Sequence, residues 1–135
     1  MELSMGEACA RLASARVARL ATVGADGQPH LVPVTFAADE NRIYTAVDHK
    51  PKTTSNLRRL RNIQENPLVA LLADHYAEDW DELWWVRADG AAHLLDNHDH
   101  ALDMLMRKYQ QYQQQPPEGP FIIIEVERWT GWAWR

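Results

Sequence analysis

The sequence predicts a small antiparallel β-barrel with short helices at its ends, and three observations point there. About six stretches read as strands, either by alternation or as unbroken apolar runs. The strands follow one another without the crossover helices of a parallel sheet. The helical stretches are few and short. With 135 residues, 46% hydrophobic and 24% charged, the chain has the balance of an ordinary globular protein, and one domain over 1–135 is expected.

The first helix is expected over 5–15, where Ser4 can cap and Glu7 stands at the third helical position, with Cys9 and Leu12 on its buried face. Residues 17–23 alternate as a strand, and Asp26-Gly27 suits a two-residue hairpin loop. The returning strand is expected over 29–38. Pro33 lacks an amide hydrogen, which places it at an edge or a bulge. A turn at Asp39-Glu40-Asn41 leads to a third strand over 42–47, and the three are expected to form a meander. After a polar connection, residues 55–64 read as a helix with Leu57, Leu60 and Ile63 inward and Arg58, Arg59 and Arg61 outward, stopped by Asn66-Pro67. The apolar run 68–73 is a strand covered on both faces, followed by an acidic loop over 76–82. A long strand over 83–95, bent at Asp89-Gly90, leads to a helix capped by Asn97 or Asp99 and ending near Gln111, and residues 120–126 form the last strand.

Composition also excludes function classes. Cys9 is the only cysteine, which rules out an internal disulfide scaffold and fits a reducing cytoplasm. No stretch approaches the roughly 18 apolar residues of a membrane span. The net charge of −5 argues against a general nucleic-acid or membrane-surface binder. It is unevenly distributed: residues 50–61 carry Lys50, Lys52, Arg58, Arg59 and Arg61 and no acid, a local +5 that leaves −10 on the rest. The three arginines suit a solvated helix face. Lys50 and Lys52, beside Thr53, Thr54 and Ser55 at a strand-to-helix junction, make an anion site for a phosphate-bearing ligand.

Other clusters read as structural. Asp96, His98, Asp99 and His100 are spaced for helix capping, not for converging on a metal. Gly24, Asp26 and Gly27 form a turn rather than a dinucleotide fingerprint, since no helix opens after them. No nucleophile-and-base constellation can be defended from spacing, so no catalytic residue is assigned. Six tryptophans, all in the second half, exceed what core packing needs and point to a subunit interface or to walls around a flat ligand.

Taken in order, Arg19-Leu20-Ala21-Thr22, Gly27-Gln28-Pro29-His30, Val32-Pro33-Val34-Thr35-Phe36, Ile43-Tyr44-Thr45, Lys50-Pro51-Lys52, Asn56-Leu57, Asn66-Pro67 and Val86-Arg87-Ala88-Asp89-Gly90 resemble the pyridoxamine 5′-phosphate oxidase-like flavoprotein superfamily. Trp84-Trp85-Val86-Arg87-Ala88-Asp89-Gly90 and Glu127-Arg128-Trp129-Thr130-Gly131-Trp132 most resemble its actinobacterial branch of coenzyme F420-dependent enzymes. The resemblance implies a split β-barrel homodimer with cofactor sites at the subunit interface. It implies that Val32, Pro33 and Val34 lie beside the ring system and Tyr44, Thr45 and Ala46 along the ribityl chain. Lys50, Lys52 and Thr53 would hold the phosphate, and Asn56 would orient that loop. Trp85 and Arg87 would face the cofactor from the partner subunit, and Trp132 would close the ring pocket. The activity implied is hydride transfer from reduced F420 to an unsaturated small molecule, with FMN as the alternative cofactor and a non-catalytic cofactor- or haem-binding protein as a further alternative. The FMN oxidases carry an arginine just before the Val32-Pro33 segment, where this chain has His30 and Leu31. For a proton donor the sequence offers Tyr44, Tyr76 and His75 without choosing among them.

Overall fold

A computed structural model describes residues 1–47 and 57–134 of the chain. Seven antiparallel strands form one curled sheet: β1 (Ala18–Val23), β2 (Pro29–Val34), β3 (Ala37–Asp39), β4 (Arg42–Ala46), β5 (Leu68–His75), β6 (Trp84–Leu95) and β7 (Phe121–Ala133). Their order is β2-β1-β5-β6-β7-β4-β3. Among the described residues four α-helices accompany them, α1 (Met5–Ser14), α2 (Arg58–Glu65), α3 (Asp99–Lys108) and α4 (Gln110–Gln114), with a 3-10 turn at Trp80–Glu82.

The two edge strands, β2 and β3, are consecutive in the chain and separated only by Thr35 and Phe36. A sheet whose opposite edges are two residues apart must curl until those edges meet. This corrects two expectations. The predicted strand over 29–38 is two strands, and the meander does not form: β2 pairs only with β1, while β4 pairs with β3 and β7. Pro33 is at the edge, as its missing N–H requires.

The split is held by side chains. The Tyr109 hydroxyl accepts the Phe36 N–H at 3.1 Å and lies 3.1 Å from the Phe36 carbonyl and 2.9 Å from that of Arg16, to which it donates. The Thr45 hydroxyl donates to the Thr35 carbonyl at 2.7 Å, and the hydroxyls of Thr35 and Tyr112 are 2.8 Å apart. Backbone groups that no strand ladder satisfies are thus bonded by side chains.

Two apolar clusters lie on opposite sides of β4. Leu20, Ile43, Leu71, Val86, Ile122 and Ile124 fill the barrel interior, closed by Ala8 and Leu12 of α1 and by Leu60 and Ile63 of α2. Tyr44, Phe121 and Ile123 pack on the other side against Ala101, Leu105, Tyr109 and Tyr112 of α3 and α4 and the residue joining them. The α1 cap forms as read, with Ser4 Oγ accepting from Glu7 N–H and Glu7 Oε1 from Ser4 N–H. Cys9 is only half-buried, because Ala8 and Leu12 make the buried stripe; burial still raises its thiol pKa.

β7 runs to Ala133 instead of ending near Val126. A bulge at Asp89/Gly90 lets its second half continue along β6, and a Cβ on Gly90 would collide with the Glu125 carbonyl. The cap of α3 is His98, whose Nδ1 accepts from Ala101 N–H at 3.0 Å, in place of Asn97 or Asp99. Among the described residues no helix is long and apolar enough to cross a membrane.

Candidate functional site

A cleft of about 380 Å³ opens where the barrel closes. The edge strand β2 supplies Val32, Pro33 and Val34, the crossover supplies Thr35, and β4 supplies Thr45 and Ala46. Val17 and Arg59 complete it. An edge strand leaves half of its backbone polar groups unpaired, so this wall offers amide and carbonyl groups beside branched apolar side chains. Five of the sequence-predicted residues, Val32, Pro33, Val34, Thr45 and Ala46, therefore meet in one place.

Tyr44 does not join them. Alternation along β4 turns its side chain toward α3, where its ring lies 5.4 Å from that of His98 and 5.6 Å from that of His100. Lys50, Lys52, Thr53 and Asn56 lie outside the described residues. Trp85, Arg87 and Trp132 lie on the outer face of the sheet and do not line this cleft of their own chain. Trp85 is directly opposite Trp132 across β6 and β7, and Arg87 Nε is 3.1 Å from Asp89 Oδ2.

Arg59 is the residue that sequence reasoning missed. The arginines of α2 were all expected on its outer side, but they divide. Arg58 pairs with Asp26 at 2.9 Å and Arg61 is exposed, while Arg59 reaches the cleft and is the charged member among its described lining residues. The orientation follows from what α2 buries: Leu60, Asn62 and Ile63 face the barrel, with Asn62 Nδ2 donating to Thr22 Oγ1 at 3.0 Å. That interior polar bond fixes the helix rotation and with it the direction of Arg59. The signal in the sequence was Asn62, a polar residue on the inward stripe.

The cleft combines an apolar wall, edge backbone and one guanidinium, a donor set suited to a planar ring bearing an anionic tail. Its volume is near the lower end of the roughly 300–1,000 Å³ of small-molecule sites. Elsewhere, Asp39 Oδ2 and His100 Nε2 are 2.9 Å apart, and among the described residues no group of three or more His, Cys, Asp or Glu is placed to hold a metal.

Residues 5–134 match the family model of pyridoxamine 5′-phosphate oxidase. The chain belongs to this family. Its similarity to a solved FAD-binding protein from Mesorhizobium loti extends over 97% of this chain and 95% of that one, at 25% identity and a TM-score of 0.69. A FAD-binding protein from Mycobacterium smegmatis matches over 100% and 99% of the two chains, at 21% identity and a TM-score of 0.68. A curated relative, the 5a,11a-dehydrotetracycline/5a,11a-dehydrooxytetracycline reductase of Streptomyces rimosus, is 43% identical over 56 residues, which is 42% of this chain and 38% of that protein. The match thus covers well under half of the reductase. The mainly β split barrel expected from the resemblance is the fold of this member of the pyridoxamine 5′-phosphate oxidase family.

Proposed function

We propose that this protein is an oxidoreductase that binds a flavin-type cofactor in the β2–β4–α2 cleft, and that the cofactor is the deazaflavin coenzyme F420, reduced and used on an unsaturated small molecule. The observation that carries the reading is the convergence of Val32, Pro33, Val34, Thr45 and Ala46 beside Arg59 in a chain of this family. The FAD-binding neighbours and the reductase relative support the cofactor class and the redox role. The choice of F420 over FMN rests on the sequence, where His30 and Leu31 occupy the place of the FMN oxidases' arginine.

Such a cofactor, when bound, supplies a hydride from its ring. The residues of the chain bind, orient and exclude water. Val32, Pro33 and Val34 form a rigid apolar wall against one ring edge, because β2 is paired to β1 along its whole length. Arg59 neutralises an anionic tail, and in this proposal Lys50 and Lys52 would add positive charge and Thr53 a hydroxyl from the segment that joins Ala46 to Arg59 along the chain. The Thr45 hydroxyl is engaged on the Thr35 carbonyl, so its part is to fix the wall. A cleft of this size covers only part of a flavin-sized molecule. A second copy packed on the outer sheet face completes it, bringing Trp85, Arg87 and Trp132 to the exposed side of the ring. That face carries Leu31 and Leu68, which are 66% and 59% exposed.

The test is titration of the purified full-length protein with F420 and with FMN, followed by fluorescence, with Arg59→Ala and Lys52→Ala alongside. F420 is expected to bind more tightly, and each substitution to weaken it at least about tenfold, a charge-assisted contact of roughly 1.4 kcal/mol or more. Tighter FMN binding replaces F420 by the alternative cofactor. Binding of neither, or unchanged affinity in both variants, overturns the site.

A further inference from the structure

Two cations meet where the end of α3 packs against the crossover between β2 and β3. Lys108, the last residue of α3, lays its Nζ 3.8 Å from the centre of the Phe36 ring and 5.4 Å from that of the Tyr109 ring. Arg16 comes to the Tyr109 ring at 4.8 Å and donates from Nη2 to the Lys108 carbonyl at 2.9 Å. The Lys108 Nζ is closed off from solvent and has no hydrogen-bond partner, while Arg16 is exposed. Among the described residues neither cation is paired with a carboxylate. Asp103, on the same helix, is engaged by Arg107 at 3.1 Å.

This arrangement is costly while the amine is charged. A buried ammonium beside a second cation loses its hydration and gains only the π faces of the two rings. Burial first, and the Arg16 charge second, therefore lower the amine's pKa from 10.5 to about 8. At pH 7 roughly one amine in ten is then neutral, against roughly one in 3,000 for an ordinary lysine, and the neutral amine is the nucleophile. The pair lacks an anion, yet a hydrated oxyanion would have to shed its water to reach Nζ. A small uncharged electrophile does not, because ordinary side-chain fluctuation admits it. If its addition product is an anion, Arg16 gains the partner it lacks. Carbon dioxide meets both conditions.

We propose that Lys108 is a site of reversible carbamate formation with carbon dioxide, paired in its modified form with Arg16. The lone pair of Nζ forms an N–C bond to carbon dioxide, one C=O electron pair moves onto oxygen, and a proton leaves the nitrogen for water. Nothing is oxidised or reduced. The product replaces two neighbouring cations by an ion pair, and it stands next to Tyr109, whose hydroxyl holds the Phe36 backbone. The proposal does not rest on the cofactor, and its measurement uses none. The full-length protein is equilibrated with isotopically labelled carbon dioxide and bicarbonate and treated with triethyloxonium, which converts a carbamate into a stable ethyl ester. Mass spectrometry of the peptides then locates the label. The chain has three lysines, so Lys50 and Lys52 serve as internal comparisons. Lys108 is expected to carry at least about tenfold more label than either, as its larger neutral fraction requires. Arg16→Gln should lower the label at Lys108 at least about threefold. Carbon dioxide should raise the Tm of the unsubstituted protein and leave that of Lys108→Met and Lys108→Arg unmoved. No label at Lys108, label no greater than at Lys50 and Lys52, full labelling in Arg16→Gln, or the same Tm shift in Lys108→Arg overturns the proposal.

Discussion

Replacing Tyr109 by Phe removes one oxygen and leaves the ring, so its effect isolates the hydroxyl that holds the two sheet edges together. That hydroxyl serves the Phe36 N–H and shares its own proton between the Phe36 and Arg16 carbonyls. Phe36 is 0% exposed, so no water replaces the lost partner for its amide. An orphaned buried N–H costs about 1–3 kcal/mol and the lost carbonyl bond about 0.5–1.5 kcal/mol, for a total of roughly 2–4 kcal/mol. The contacts of Arg16 and Lys108 with the ring, at 4.8 and 5.4 Å, are retained and do not contribute to the difference. At about 3 kcal/mol, Tm falls by about 12 °C for a chain of this length. Urea unfolding at fixed protein concentration should show a lower midpoint with an unchanged slope, and the Phe36 amide should exchange faster. A destabilisation below about 0.5 kcal/mol would refute the reasoning, since the crossover would then be held by something other than this hydroxyl.

Two further outcomes follow from the same packing. Gly90→Ala places a methyl group against the Glu125 carbonyl, a backbone atom with no freedom to rotate away, and should cost at least about 3 kcal/mol, seen as a large fall in calorimetric Tm or as insoluble protein. Lys108 lies 3.8 Å above the Phe36 ring with its Nζ buried, and burial, aided by the Arg16 charge, lowers its pKa to about 8. The unfolded chain therefore binds this proton more tightly, with a pKa near 10.5. The folding penalty on the charged amine is fully present below pH 8 and is relieved as pH rises toward 10.5. Lys108→Met should stabilise the protein at pH 7 and flatten the rise in stability between pH 8 and 10, measured by urea unfolding at each pH; a parallel pH profile in the variant would count against it.

What the sequence made legible was local. Ser4 and Glu7 announce a cap, Asp26-Gly27 a hairpin, Asn66-Pro67 a helix end and Gly90 a bend, and each works within a few residues of itself. The pairing of β4 with β7 joins Ala46 to Phe121, and no short-range pattern encodes that. The split of β2 from β3 was hidden for a related reason: Thr35 and Phe36 fit a strand by alternation, and only the distant Tyr109 shows that their backbone bonds go to side chains. β7 was cut short because Glu127, Arg128 and Thr130 interrupt its apolar pattern, although that half of the strand has an outer face that tolerates polar groups. At the site, Val32 to Val34 and Thr45 to Ala46 were found together because they follow one another along strands. Tyr44 is turned away from Thr45, since adjacent strand residues point to opposite faces, and its ring packs on the α3 side of β4. Arg59 was indistinguishable from Arg58 and Arg61 until the helix rotation was known.

The position of β7 also bears on how the chain is made. Among the described residues the β3–β4 hairpin is joined to the rest of the sheet only through β7, which follows β1 to β6 in the chain. Until Phe121 to Glu125 have emerged, β1, β2, β5 and β6 can assemble as one antiparallel unit, but the hairpin has no ladder partner and the cleft between β2 and β4 has only one of its two walls. The cleft therefore takes shape only after β7 has been made, and a chain stalled before Phe121 presents two unjoined edges to other nascent chains and to chaperones.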